Sequence, residues 1–148
     1  MFRGVSTVSL DSKGRVVVPT RHRDVLMAVD SGRVVLTADP GGCLLLYPAS
    51  GWEPIEKKIA ALSDFNERTR RIKMVLVSHA HDMEMDGAGR VLIPPMLRKF
   101  AGLDKSVVLA GQVSRVELWS EERWNEQVAQ ASGFKDNDLP PELEGFTL

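Results

Sequence analysis

Apolar and polar positions alternate at the start of the chain, where Val5, Thr7, Val8 and Leu10 mark a strand over 5–10. Asp11-Ser12-Lys13-Gly14 reads as a turn, because Asp favours its first position and Gly accepts a positive φ. Arg15 to Val18 is then the returning strand of a β-hairpin with a basic tip. Pro19 ends it, and Thr20 can cap a short helix over 21–28 that breaks at Ser31-Gly32. Strands are predicted over 33–37 and 43–47, on either side of the Asp39-Pro40-Gly41-Gly42 turn. Trp52, Ile55, Ile59 and Leu62 form one stripe of a helix over 52–62. A second helix, over 66–77, carries Arg68, Arg70, Arg71 and Lys73 on its outer side. The pattern then restarts with strand 80–85, turn 86–89 and strand 90–93. A short helix lies between Pro94-Pro95 and Gly102, followed by strands 106–110 and 115–119 and a helix over 121–131.

The restart is a repeat. Asp11-Ser12-Lys13-Gly14-Arg15 runs into Val16-Val17-Val18-Pro19, and Asp86-Gly87-Ala88-Gly89-Arg90 runs into Val91-Leu92-Ile93-Pro94. Val34 to Thr37 matches Val107 to Ala110, Leu44 to Tyr47 matches Val116 to Trp119, and Trp52 matches Trp124. Two copies are too few for a solenoid, which needs at least about three units, so they predict a pseudo-twofold domain made by duplication. Interlocking the halves buries the shared aliphatic set and protects strand edges, which suggests a small closed barrel with short helices in the crossovers. On this reading residues 5–52 are the first half, 53–78 a helical connector and 79–131 the second half with its C-terminal helix. Residues 132–148 are a loose acidic tail.

Composition adds little until charge is mapped. With 148 residues, 43% hydrophobic and 26% charged, the chain is long enough for one domain. It has no apolar run of membrane length and no apolar signal core near Met1, which points to a cytosolic protein. The single cysteine, Cys43, excludes an internal disulfide and reads as a small packing residue. Net charge is −1, yet Arg3, Lys13, Arg15, Arg21 and Arg23 crowd the first 23 residues against Asp11 alone. Asp136, Asp138, Glu142 and Glu144 at the other end hide that basic region in the total.

Candidate chemistry concentrates in the two turns. Arg can fork onto guanine O6 and N7, and the major groove admits a two-stranded ribbon. Arg15 and Arg90 are therefore the candidate base readers, with Lys13 and Arg3 on phosphates. Asp11, Gly14, Asp86 and Gly89 shape and brace the turns. The second copy has Ala88 where the first has Lys13, so the first turn should be the stronger contact. The competing reading makes both turns purely structural. His79 and His81 would share a strand face, but with no well-placed third ligand they make a poor metal site. Trp52, Trp119, Trp124 and Tyr47 at repeat-equivalent places favour core packing over base stacking. No catalytic constellation, phosphate-cradling loop or zinc motif is present, so neither enzymatic activity nor a cofactor is expected.

The doubled Asp-x-x-Gly-Arg-aliphatic-x-Ile/Val-Pro signature resembles that of the AbrB-like swapped-hairpin transcription factors. Together with the opening Met-Phe-Arg-Gly, Leu44-Leu45-Leu46-Tyr47-Pro48 and Glu117-Leu118-Trp119, it is similar to the MraZ family over essentially the whole chain. The resemblance implies a mainly β fold with short helices, a double-psi β-barrel of two AbrB-like ββαβ halves. It implies a DNA-binding regulator of the bacterial division and cell-wall gene cluster, nucleoid-associated. It also implies a ring-shaped homo-oligomer reading tandem G-rich boxes upstream of its own gene, with DNA contact on Lys13, Arg15 and Arg90. A non-DNA scaffold ring is the alternative.

Overall fold

The computed structural model describes residues 1–133 and 139–147. Among the described residues eight strands and five α-helices follow one another in chain order. They are β1 (Val5–Ser9), β2 (Arg15–Val17), α1 (Thr20–Asp30), β3 (Arg33–Ala38), β4 (Leu44–Pro48), α2 (Ala49–Ala60) and α3 (Glu67–Ile72). A π-helical turn, Lys73–Val77, follows, and then β5 (His81–Glu84), β6 (Arg90–Leu92), α4 (Pro95–Ala101), β7 (Ser106–Gly111), β8 (Val116–Ser120) and α5 (Glu121–Ala131). A short 3-10 turn spans Pro141–Leu143. The tail expected over 132–148 falls partly on 134–138 and 148, outside the described residues.

The duplication governs the strand order. Six strands form one antiparallel sheet in the order β1-β7-β8-β4-β3-β5, which reads the same from either end once each strand is exchanged for its repeat partner. Each half therefore lends its first strand to the other: β1 pairs with β7, and β5 pairs with β3. The expected hairpin of β1 with β2 does not form as a ladder. Instead β2 pairs with β6, its own repeat equivalent, as a separate two-stranded ribbon. The reason is burial: a local hairpin would leave the edges of β3 and β7 open, whereas the exchange pairs both. The fold is mainly antiparallel sheet with short helices, as expected. Its ladders form an open six-stranded sheet and a ribbon among the described residues, not the closed barrel expected.

Period-two alternation divides the side chains of the sheet. Val34, Leu36, Leu44, Leu46, Val107, Leu109, Val116 and Leu118 point to one face. Val35, Leu45, Tyr47, Val108 and Trp119 point to the other. The ribbon covers the first face through Val16, Val18, Val91 and Ile93, all at most 1% exposed. Each such side chain stabilises the fold by about 1.5–3 kcal/mol. On the second face lie Trp52 and Ile55 of α2, Leu76 of the π turn and Trp124 of α5. The stretch read as a connector is thus also a lid on the sheet. Thr37 Oγ1 donates to the Leu76 carbonyl at 2.6 Å, fixing that lid to β3.

Three expected details differ. Thr20 is the first residue of α1 and makes no capping bond, with Pro19 at the N-cap position. Helix α2 starts at Ala49, earlier than the apolar stripe predicts, because Asp30 at the end of α1 accepts from Ser50 N (2.9 Å) and Ser50 Oγ (2.7 Å). That long-range cap satisfies a first-turn amide that no local residue serves. Leu62, assigned to the buried stripe, lies past the helix end and is 46% exposed. Cys43 is fully buried as expected, and burial pushes its thiol far up, so it stays protonated. No helix of the described residues is long and apolar enough to cross a membrane.

Candidate nucleic-acid interface

The two signature turns have the same internal wiring. In the first, Asp11 Oδ1 accepts from Lys13 N (2.9 Å) and Arg15 N (2.8 Å), and Asp11 Oδ2 accepts from Arg15 Nε at 2.8 Å. In the second, Asp86 Oδ1 accepts from Ala88 N (3.0 Å) and Arg90 N (2.9 Å), and Asp86 Oδ2 accepts from Arg90 Nε at 2.7 Å. Gly14 and Gly89 occupy the left-handed region, with φ of 85° and 74°, which is where each turn needs a residue without Cβ. The backbone amide of Arg15 holds the Asp11 carboxylate below the ordinary 3.8, and that of Arg90 does the same for Asp86; burial opposes this, and the Nε bond and the remaining turn amide add to the lowering. Both stay ionised at neutral pH.

This wiring leaves each arginine half used. The carboxylate takes only Nε, and neither Nη group of Arg15 or Arg90 is hydrogen-bonded among the described residues. Arg15 and Arg90 side chains are 27% and 34% exposed. Anchoring by Nε spares part of the rotamer entropy that a free arginine loses on binding.

Pairing of β2 with β6 sets the spacing. Arg15 stands opposite Leu92, Val16 opposite Val91, and Val17 opposite Arg90. Val16 and Val91 turn inward, so Arg15, Val17, Arg90 and Leu92 share the outer face. The two arginines are diagonal neighbours, about 7–8 Å apart on the scale of such pairs. Two guanidinium groups thus project from one ribbon, around exposed Val17 and Leu92. Lys13 is exposed at the first turn.

Arg3 is not brought to this face. It precedes β1, whereas the Asp11 turn follows β1. The strand between them puts roughly 20 Å between Arg3 and the turn. Residues there are tied to the other half, with Phe2 and Val113 exchanging N–H to O bonds at 2.8 Å.

Other candidates resolve into structure. His79 Nδ1 lies 3.0 Å from the Met74 and Val75 carbonyls and closes the π turn, while His81 Nδ1 lies 2.8 Å from His79 O. No group of three metal-ligating side chains occurs among the described residues. Arg71 of α3 pairs with Glu67 at 2.8 Å, and Lys73, at the start of the π turn, pairs with Asp64 at 2.6 Å. Trp52, Trp119 and Tyr47 are buried and Trp124 packs against them, as expected of core residues.

Two residues that sequence reasoning left unassigned touch the turns. Arg98 of α4 lies against Gly14, and Arg23 of α1 lies against Gly89. They are repeat equivalents at the 75-residue offset that relates Arg15 to Arg90, and that offset was the available signal. A third, Arg123 of α5, donates Nη1 to Gly42 O (2.9 Å) and Phe100 O (3.0 Å), joining the β3–β4 turn of the first half to α4 of the second.

Comparison with known proteins agrees with the duplication. The family model of the MraZ protein, an antitoxin-like family, matches the chain twice, over residues 1–75 and 76–138. The chain is 70% identical over 148 residues, the full length of both, to a protein of Thiobacillus denitrificans named transcriptional regulator MraZ. Proteins of the same name from Nitrosospira multiformis and Nitrosomonas eutropha are 54% and 51% identical, again over the full length of both chains. With two consecutive matches to its model, one for each half of the fold, the chain belongs to the MraZ family, whose relatives here carry the name of transcriptional regulators and not of enzymes.

Proposed function

We propose that the protein is a sequence-specific DNA-binding transcription regulator that reads guanines through Arg15 and Arg90. The observation that carries this reading is the paired geometry: two arginines on one outward ribbon face, each tethered by Nε alone. A guanidinium held that way keeps the fork that suits guanine O6 and N7. Lys13 adds a phosphate contact at the first turn only, so the first turn contributes more. Arg3, at the far end of β1, serves at most a phosphate of a neighbouring site.

One ribbon offers little area, so several copies must act together. Linking sites in a ring raises the apparent affinity without new contacts. Exposed Leu62, Phe65, Ile72 and Met74 give the chain apolar surface for self-association. A ring whose subunits face one way suits direct repeats, whereas a twofold dimer suits palindromes. The proposed target is a set of tandem G-rich boxes upstream of the protein's own gene, at the head of a division and cell-wall gene cluster, with the protein on the nucleoid. The crossed exchange of strands between the halves supports a double-psi relationship, with ladders that stay open.

The test is a gel shift on that upstream DNA against a random duplex. Arg15→Ala should remove the specific shift at physiological salt while circular dichroism stays native, and Arg90→Ala should weaken it. Binding should fall steeply with salt through counterion release. Parental binding by both variants would reject the turn assignment, and equal affinity for random DNA would favour a scaffold.

A further inference from the structure

We infer that Arg23 and Arg98 are positioning residues for the two turns, each acting across the duplication on the turn of the other half. The inference rests on the DNA reading above for its consequence, but its geometry stands apart from it. Arg98 belongs to the second half, yet it seats its guanidinium beneath the first turn. A methyl group at Gly14 would lie 2.9 Å from Arg98 Cζ and 3.1 Å from its Nε and Nη1. Arg23 belongs to the first half, and a methyl group at Gly89 would collide with its Nε and Cζ. The backbone repeats the exchange: Ile93 N donates to Gly14 O at 2.8 Å, and Val18 N donates to Gly89 O at 2.9 Å.

Neither arginine is there as half of a salt bridge. Neither forms an ion pair among the described residues, and both Nε atoms are buried without a hydrogen-bond partner. Arg23 donates Nη2 to Val18 O at 3.1 Å. Holding a cation without an acid and leaving its Nε unmatched costs free energy, so the placement calls for a use. The flat guanidinium fits under a glycine that has no side chain, and it supports the turn where Asp and Arg are clamped. The first turn therefore depends on Arg98 and the second on Arg23. Since only the first turn carries Lys13, loss of Arg98 should weaken DNA binding more.

A double-mutant cycle at low salt, where residual binding of weakened variants is measurable, tests this. Arg98→Met and Arg23→Met are each placed in the parent, in Arg15→Ala and in Arg90→Ala, and titrated against the upstream duplex by fluorescence anisotropy. Arg98→Met should weaken binding about tenfold in the parent and in Arg90→Ala, and change Arg15→Ala by less than about twofold. Arg23→Met should show the reverse dependence. Equal losses in both backgrounds, as general destabilisation would give, overturn the inference, and so does no loss at all. If a Met variant fails to fold, Arg98→Lys and Arg23→Lys take its place, with the same selectivity expected at smaller size. Should Arg15→Ala and Arg90→Ala themselves bind like the parent, the DNA reading fails and the bracing is judged in the free protein. There Arg98→Met should speed amide exchange at Gly14 and not at Gly89, and uniform exchange rejects it.

Discussion

Val16 faces Val91 at the centre of the β2–β6 ribbon, each 1% exposed, and this pair lies where the two halves of the molecule meet their repeat equivalents. Because these two point inward, the residues flanking them point outward, and the arginines of both turns share one face. Packing and presentation are thus two sides of the same three-residue strands.

Truncating either valine should cost about 2–3 kcal/mol, the transfer of two methylenes plus a cavity. Urea unfolding monitored by circular dichroism measures it. Val16→Ala and Val91→Ala should be alike within about 0.5 kcal/mol if the ribbon is as symmetric as its register. The outward residues Val17 and Leu92, about half exposed, should tolerate alanine with changes under about 0.5 kcal/mol.

Asp11→Asn and Asp86→Asn keep an acceptor for the turn amides but remove the charge that clamps Arg Nε. Both proteins should fold, and DNA affinity should fall by about tenfold for Asp11→Asn and less for Asp86→Asn. Anisotropy titration decides this. The sign with pH follows the same group. Each carboxylate is held below its ordinary 3.8, so its stabilising contribution is present above that value and is lost as pH falls through the lower folded value. Chemical shifts of the Arg15 and Arg90 amides, followed down from pH 5, should move together.

Gly14→Ala and Gly89→Ala test the left-handed turns. A Cβ at φ near 85° or 74° is strained by about 1–2 kcal/mol, and the arginine beneath must also move. Thermal unfolding should show both losses. Gly87, which has a negative φ and open space around it, should accept alanine without loss.

His22 supplies the pH prediction for the core. It is 1% exposed, packed 5.8 Å from the Phe2 ring, and its Nε2 has no hydrogen-bond partner among the described residues. Burial holds its pKa below 6.5, helped by neighbouring Arg21. The unfolded chain therefore binds the proton first, and stability falls as pH drops below 6.5 toward the lower folded value. The repeat-equivalent position holds Leu97, also fully buried, so leucine suits this environment. His22→Leu should flatten the stability profile between pH 6.5 and 5, measured by melting temperature. A slope equal to the parent's would place the effect elsewhere.

How much of this was legible can be read from particular residues. Strand and helix positions followed from alternation and punctuation, because Pro19, Gly32, Pro94 and Gly102 leave the backbone few choices. The equivalence of Arg15 and Arg90, and the acid that serves each, also followed, since the Asp–Arg clamp closes within five consecutive residues. A local interaction is written in local order. Whether Leu62 was buried was not legible, because periodicity carries no information on where the helix stops.

Pairing belonged to the tertiary structure alone. The alternation in β1 and β2 fits a hairpin as well as it fits an exchange, and only burial of both β3 and β7 edges selects the exchange. The same holds for Arg23 and Arg98. Their types and spacing stand in the chain, but the glycine each one supports lies 66 or 84 residues away, in the other half. By itself the amino-acid order determined that this protein is a duplicated β fold with two clamped arginine turns. Folding decided that the turns share one ribbon and lean on each other's helices, because contacts between distant segments are set by which surfaces must leave water together.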